Sequence, residues 1–148
     1  MEPFDCELLR EGLLAQPVNS ISALAFVAAA VVLWPQRRDA AGLVGATGLC
    51  SLWFHAAPGG AASWAHDISL YAVIAIAAIE VWRLLAARRL PVPAIAMFIV
   101  GLGFWSVGRT GSAFCSPESL LQWHAGWHLL AASALVLLFK SSGPAQNE

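Results

Sequence analysis

Long apolar stretches alternate with short polar segments along the whole chain. Pro, Gly, Arg and Asp mark the breaks between the apolar stretches, as they do at helix ends. A helix that crosses the ~30 Å hydrocarbon core of a bilayer needs about 20 mostly apolar residues, and several stretches approach that length. The pattern therefore predicts an all-α fold, a polytopic membrane helix bundle. The five predicted helices span 17–35, 40–57, 66–87, 91–108 and 120–139.

The composition favours the same class of protein. Of the 148 residues, 59% are hydrophobic and 11% are charged, whereas charged residues make up ~25% of a typical soluble domain. A chain of this length leaves little room beyond the helices, so we expect one domain over 1–148. The net charge of -1 and the lack of a long basic run argue against nucleic-acid binding. The N-terminal residues are acidic, so no cleavable signal peptide is expected.

The basic residues predict the orientation. Five crossings place most of them on the side opposite the N-terminus, which the positive-inside rule makes the cytoplasm. The N-terminus is then non-cytoplasmic and the C-terminus cytoplasmic. The residues on the predicted cytoplasmic side are Arg37, Arg38, Arg83, Arg88, Arg89 and Lys140.

The same topology places the side chains that could bind a metal ion or take part in catalysis on the outer side. His55 ends the second predicted helix, Asp67 lies at the start of the third, and His124 and His128 begin the fifth. Ionisable groups inside a membrane span are costly, so they are candidates for function. The gathering depends on an odd number of crossings, because an even number would put the His124 pair across the membrane from His55.

The spacing of these residues suits a metal site. Ser51 and His55 are four residues apart, as are His124 and His128, so each pair shares a helix face. Three imidazoles leave the fourth position of a tetrahedral zinc open for a water molecule. Asp67 could accept a proton from that water, and Ser51 could donate a hydrogen bond to an oxyanion. The simpler interpretation is a pair of interfacial histidines and a serine that bonds to its own helix backbone.

Four blocks of the sequence resemble the alkaline ceramidase family, a group of seven-helix membrane hydrolases related to adiponectin-receptor type proteins. They follow the family's order over nearly the whole chain. The blocks are DCE at 5–7 with QPVNSIS at 16–22, GLCSLWFHAA at 48–57, Asp67, and FCSPESLLQWHAGWHLL at 114–130.

The resemblance implies a reaction and a set of roles. His55, His124 and His128 would hold zinc, Asp67 would activate the water, and Ser51 would stabilise the oxyanion. The implied reaction is hydrolysis of the N-acyl amide of ceramide or a related membrane lipid to a fatty acid and a sphingoid base. With five predicted helices, the chain would be a shortened version of the family's bundle.

The resemblance also implies a calcium site and a disulfide. Asp5 and Glu7 match part of the family's N-terminal calcium site, although a family glutamate is replaced by Gln16; a solvated acidic tail is the simpler interpretation. Cys6 and Cys115 both fall on the outer, oxidising side, and the family contains such a pair. We therefore predict a Cys6–Cys115 disulfide.

Two other function classes stay open on the sequence. A metal-containing lipid receptor or sensor of the same fold would keep the metal and the lipid pocket but have little turnover. A metal transporter would need polar groups at intervals through to the cytoplasmic side, where the spans carry only Glu80.

Overall fold

The computed structural model describes residues 5–142, and over that range the fold is all-α. The five helices predicted from the sequence are all present. Within the described range, β pairing is limited to one isolated antiparallel bridge between Asp5 and Arg109. The helices are α1 Pro17–Leu33, α2 Arg38–Ala56, α3 Gly60–Ala86, α4 Val92–Val107 and α5 Trp123–Ser141.

The largest difference from the predicted boundaries is the start of α3, which begins at Gly60 rather than at 66. The small residues before His66 are typical of a loop. Ala is a strong helix former, and Ala62 is packed in the interior, so the helix extends through this segment. At the other end of the chain α5 begins at Trp123 rather than at 120, which makes His124 its second residue.

The core lies between α1, α2 and α5. α1 packs against both α2 and α5, α2 also packs against α3, and α4 packs against α5. Close approach of α1 and α2 requires Gly48, because a Cβ at that position would lie 2.9 Å from Cβ of Phe26. The largest buried side chains of this core include Phe26, Leu33, Val44 and Phe139. This packing brings the end of α2 beside the start of α5.

One helix of the described chain, α3, has both the length and the apolar composition of a membrane span. It has 27 residues, while the apolar helices α1 and α4 have 17 and 16. Few side chains of α3 are buried, and these are Ala62, Val73, Glu80 and Leu84. The described helices therefore include one candidate span, and the five-span arrangement stays a prediction.

An ion-pair network lies at the end of the bundle far from the histidines. The buried carboxylate of Glu80 is 3.2 Å from the guanidinium of Arg37 and 3.5 Å from that of Arg83. Glu80 and Arg83 lie three residues apart on α3, so their contact is local. The contact to Arg37 depends on tertiary structure, and it joins the start of α2 to the end of α3.

Candidate metal centre

Three histidines from two distant segments meet in the interior. His55 lies in the last turn of α2, and His124 and His128 lie in the first two turns of α5. One ring nitrogen of each histidine lies within 4.8 Å of the corresponding nitrogens of the other two. All three side chains are buried. The predicted convergence of these residues is confirmed, and the group could hold a metal ion.

The hydrogen bond of His55 fixes which ring nitrogen faces the cluster. Its Nδ1 lies 2.7 Å from Oε1 of Gln16, and the Gln16 amide is oriented by a bond from its Nε2 to the carbonyl oxygen of Glu7. Because an amide oxygen only accepts hydrogen bonds, Nδ1 of His55 must carry the proton. Nε2 then carries the free lone pair, and it is buried without a hydrogen-bond partner in the structure.

His128 is fixed in the same tautomer by Ser22. The Ser22 hydroxyl donates to the carbonyl oxygen of Asn19 at 2.9 Å and lies 2.8 Å from Nδ1 of His128. Since its only hydrogen is already used, the hydroxyl accepts from His128, which places the proton on Nδ1. Nε2 of His128 therefore also presents a lone pair. Metal-binding histidines typically donate their second ring nitrogen to such a partner.

Asp5 lies against the same cluster. Its Oδ1 is 3.1 Å from Nδ1 of His124, and its Oδ2 is 3.8 Å from Nδ1 of His55. Burial raises the pKa of the Asp5 carboxyl to about 7, although the positive charge of Arg109 opposes that shift. The resemblance assigned Asp5 to calcium, whereas the structure places its carboxyl at the histidines.

Glu7 caps the first turn of α1. Its two carboxylate oxygens accept hydrogen bonds from the backbone N–H groups of Val18 and Asn19, each at 2.8 Å. Across the described residues, His55, His124 and His128 form the one group of three or more potential ligand side chains that converges on a point. Calcium binding by Asp5 and Glu7 stays a prediction.

The two residues predicted to be catalytic have different surroundings. Ser51 is buried, and its hydroxyl lies 3.4 Å from Nε2 of His128, inside the cluster. Asp67 has a side chain that is 57% exposed and pairs with Nδ1 of His66 at 3.0 Å. The His66 ring is 6.4 Å from that of His55, so Asp67 and His66 lie at the rim of the cluster rather than in it.

The predicted Cys6–Cys115 disulfide is present. It joins the N-terminal segment to the loop before α5. The backbone N–H of Cys6 also donates to the carbonyl oxygen of Gly108 at 2.9 Å. These contacts hold Asp5 near the start of the helix that carries His124.

Sequence reasoning missed three residues that contact the histidines, namely Asp5 in that role, Gln16 and Ser22. Gln16 and Ser22 belong to the QPVNSIS block, but polar residues at a helix start ordinarily indicate capping. Their partners lie 39 and 106 residues away along the chain. No local spacing marks such contacts.

The donor set fits a transition metal of the zinc type. Three imidazoles are the protein ligands of one class of catalytic zinc site, and a bound cation would satisfy the buried lone pair on Nε2 of His55, which has no hydrogen-bond partner among the described residues. Comparison of the chain with protein-family models, curated proteins and solved structures gave no match. The four sequence blocks and this geometry therefore carry the functional argument.

Proposed function

We propose that the protein is an intramembrane, zinc-dependent amidohydrolase that cleaves the N-acyl amide of ceramide or a related lipid. The observation that carries the proposal is the buried group of His55, His124 and His128, in which at least two imidazoles direct an Nε2 lone pair inward. Zinc is the metal that the three-imidazole set suits best. The resemblance to alkaline ceramidases supplies the substrate class.

A membrane location is supported by the surface of α3. Soluble monomers rarely expose large contiguous apolar patches, and a core helix of a soluble protein would be mostly buried. α3 instead leaves most of its large side chains uncovered, including Ile68, Tyr71, Ile74, Ile79 and Trp82. We place all five helices in the membrane, the N-terminus and the histidines on the non-cytoplasmic side and the C-terminus in the cytoplasm. An amide-linked lipid then reaches the site laterally without exposing its chains to water.

The chain's own groups can be assigned to the parts of the reaction. Bound zinc would polarise the carbonyl and make water more acidic. The Ser51 hydroxyl, inside the cluster, is placed to donate a hydrogen bond to the oxygen of the amide carbonyl. Asp67, at the rim beside His66, is the carboxylate that we assign to proton transfer between water and the leaving amine. The water oxygen forms a new bond to the carbonyl carbon, the C–N bond breaks, and the proton from water passes to the amine nitrogen, so that a fatty acid and a sphingoid base leave.

The position of Asp67 favours a second candidate. Because this carboxylate is exposed and paired with His66 rather than directed at the cluster, the site resembles one that binds a metal and a lipid with little turnover. A metal-containing lipid receptor or sensor of the same fold is therefore the alternative function.

Metal content tests the site. Elemental analysis of the purified protein should give about one zinc per chain, as a three-histidine site requires. The double variant His124→Ala, His128→Ala should lose this zinc, and Asp39→Asn, which changes an exposed carboxylate at the other end of the bundle, should keep it. Zinc content that is unchanged in the double variant would contradict the proposed site.

Product analysis separates the enzyme from the receptor. Mass spectrometry of a panel of N-acyl lipids incubated with the protein should show chelator-sensitive release of fatty acid. Asp67→Asn should retain zinc and reduce that release by roughly 10²-fold, in the range for loss of a general base. Zinc and lipid binding without release from any member of the panel would favour the receptor.

A further inference from the structure

The N-terminal part of the chain places a polar side chain beside Nδ1 of each histidine of the cluster. Gln16 contacts Nδ1 of His55 and Ser22 contacts Nδ1 of His128. The corresponding atom of His124 lies 3.1 Å from Oδ1 of Asp5. We propose that Asp5 is a positioning residue of the metal centre, whose carboxylate accepts a hydrogen bond from Nδ1 of His124 and thereby directs Nε2 of His124 to the ion. The inference rests on the proposed metal site.

The two atoms of this contact have no alternative use in the structure. Nδ1 of His124 and Oδ1 of Asp5 are both buried and have no hydrogen-bond partner, since their present orientation does not align a bond at 3.1 Å. An unsatisfied buried polar group costs about 1–3 kcal/mol. A rotation of the ring or the carboxyl that aligns the pair satisfies both atoms at once. Binding of an ion to Nε2 favours that alignment, because it fixes the proton of the ring on Nδ1.

Asp5 is the acidic member of the three partners. Gln16 and Ser22 are neutral, so Asp5 contributes the one carboxylate among the groups that contact Nδ1 atoms of the cluster. A carboxylate that accepts from a metal-bound imidazole orients the ring and raises its basicity. Its Oδ2 also lies 3.8 Å from Nδ1 of His55, so the negative charge is near two of the three rings. A nearby cation in turn favours the ionised carboxylate.

The backbone of Asp5 is held by the segment that leads into α5. Asp5 pairs with Arg109, its carbonyl oxygen accepts from the hydroxyl of Thr110 at 3.1 Å, and the adjacent Cys6 is bonded to Cys115. A positioning residue must itself be fixed if it is to orient a ligand. The strand-like pairing and the disulfide provide that constraint on the outer side of His124.

Zinc affinity is the first test. The dissociation constant for Zn²⁺ is measured by competition with a chromophoric chelator for the intact parent protein and for Asp5→Ala, Asp5→Asn and Glu11→Ala. Loss of a residue that hydrogen-bonds to a metal ligand typically weakens metal binding 10- to 100-fold, so we expect that range for Asp5→Ala. Asp5→Asn should lose less, because its amide oxygen still accepts. Glu11, an exposed carboxylate of the same segment, is the control, and Glu11→Ala should bind as the parent does.

The fold of the variants is checked without the metal. Mass mapping should find the disulfide between Cys6 and Cys115 in each of them, and the metal-free proteins should have the same helix content. If Asp5→Ala fails these checks, its place in the comparison is taken by Asp5→Asn, which keeps the shape of the side chain. Parent-like zinc affinity in correctly folded Asp5→Ala would overturn the proposal.

The second, independent test identifies which ring nitrogen of His124 binds the ion. Cd²⁺ enriched in ¹¹³Cd is bound to protein labelled with ¹⁵N-histidine, and the spin coupling identifies the nitrogen that contacts the ion. We expect coupling through Nε2 of His124 and a protonated Nδ1, whose signal shifts in Asp5→Asn and stays in Glu11→Ala. Coupling through Nδ1 of His124, or a parent protein that binds neither Zn²⁺ nor Cd²⁺, would overturn the role of Asp5. Absence of lipid hydrolysis would count only against the proposed reaction.

Discussion

Replacement of Glu7 distinguishes a helix cap from a calcium ligand. The first turn of an α-helix leaves backbone N–H groups without helical partners. In α1 the first residue is Pro17, which has no N–H, and the N–H of Ser20 bonds to the carbonyl oxygen of Gln16. The remaining donors are those of Val18 and Asn19, and both bond to the Glu7 carboxylate. Glu7→Ala therefore removes every side-chain partner that this turn has.

The size of the effect follows from the burial of the two donors. The bond to Asn19 is buried, so its N–H cannot return to water, and leaving it unpaired costs about 1–3 kcal/mol. The bond to Val18 is partly buried, and its loss costs about 0.5–1.5 kcal/mol. Favourable interaction of the carboxylate with the helix N-terminus adds a few tenths of a kcal/mol. We expect Glu7→Ala to lower the free energy of unfolding by roughly 2–5 kcal/mol.

Denaturant titration of the protein in detergent, followed by circular dichroism, measures this change. The expected loss is the same with added calcium and with chelator, and Glu7→Gln, which keeps one acceptor oxygen, should lose about half as much. Glu11→Ala is the control for removal of a carboxylate from this segment. A Glu7→Ala variant that matches the parent in chelator and differs only when calcium is added would refute the capping argument and support calcium binding.

Three further predictions concern packing, charge and cross-linking, and each is measured by the same titration. Gly48→Ala should lower the free energy of unfolding by about 1–3 kcal/mol, because the new methyl group would lie 2.9 Å from the nearest atom of α1, whereas Gly42→Ala, with open space around it, should not destabilise. Equal effects of the two would contradict the packing of α1 on α2. Glu80→Ala should cost about 2–4 kcal/mol, because it removes a buried carboxylate from its guanidinium partner. Arg83→Ala should cost less than about 1 kcal/mol, because the Arg83 side chain is 66% exposed. The reverse order of the two effects would show that the network is misassigned. Cys115→Ser should cost about 2–4 kcal/mol, since the disulfide closes a long loop of the unfolded chain, and parent-like stability would show that the cross-link is dispensable.

Much of the candidate site could be predicted from residues that repeat at helical spacing. His124 and His128 share a helix face wherever that helix lies, and Ser51 and His55 do the same. The odd number of helices then brings the end of α2 and the start of α5 to one side. The pairing of Cys6 with Cys115 followed from the same placement together with the resemblance. These predictions needed only local geometry and chain direction.

The groups that surround the histidines could not be predicted in the same way. Gln16 precedes α1 and Ser22 lies in its second turn, and neither has a regular spacing relative to its partner. Asp5 was assigned to calcium through the resemblance alone, and only the bridge to the loop before α5 directs it to His124. The exposure of Asp67 could not be predicted either, because its place at the start of a predicted helix gives no information about how buried the side chain is.

The amino-acid sequence by itself determined the helical class, the number of helices and the three histidines, because apolar periodicity and i, i+4 spacing act within single segments of the chain. Only the tertiary structure decided which ring nitrogens face inward and which carboxylate stands beside them. Those features depend on contacts between residues about 40 to 120 positions apart, which arise when α1 packs between α2 and α5 and the disulfide fixes the N-terminal segment above them.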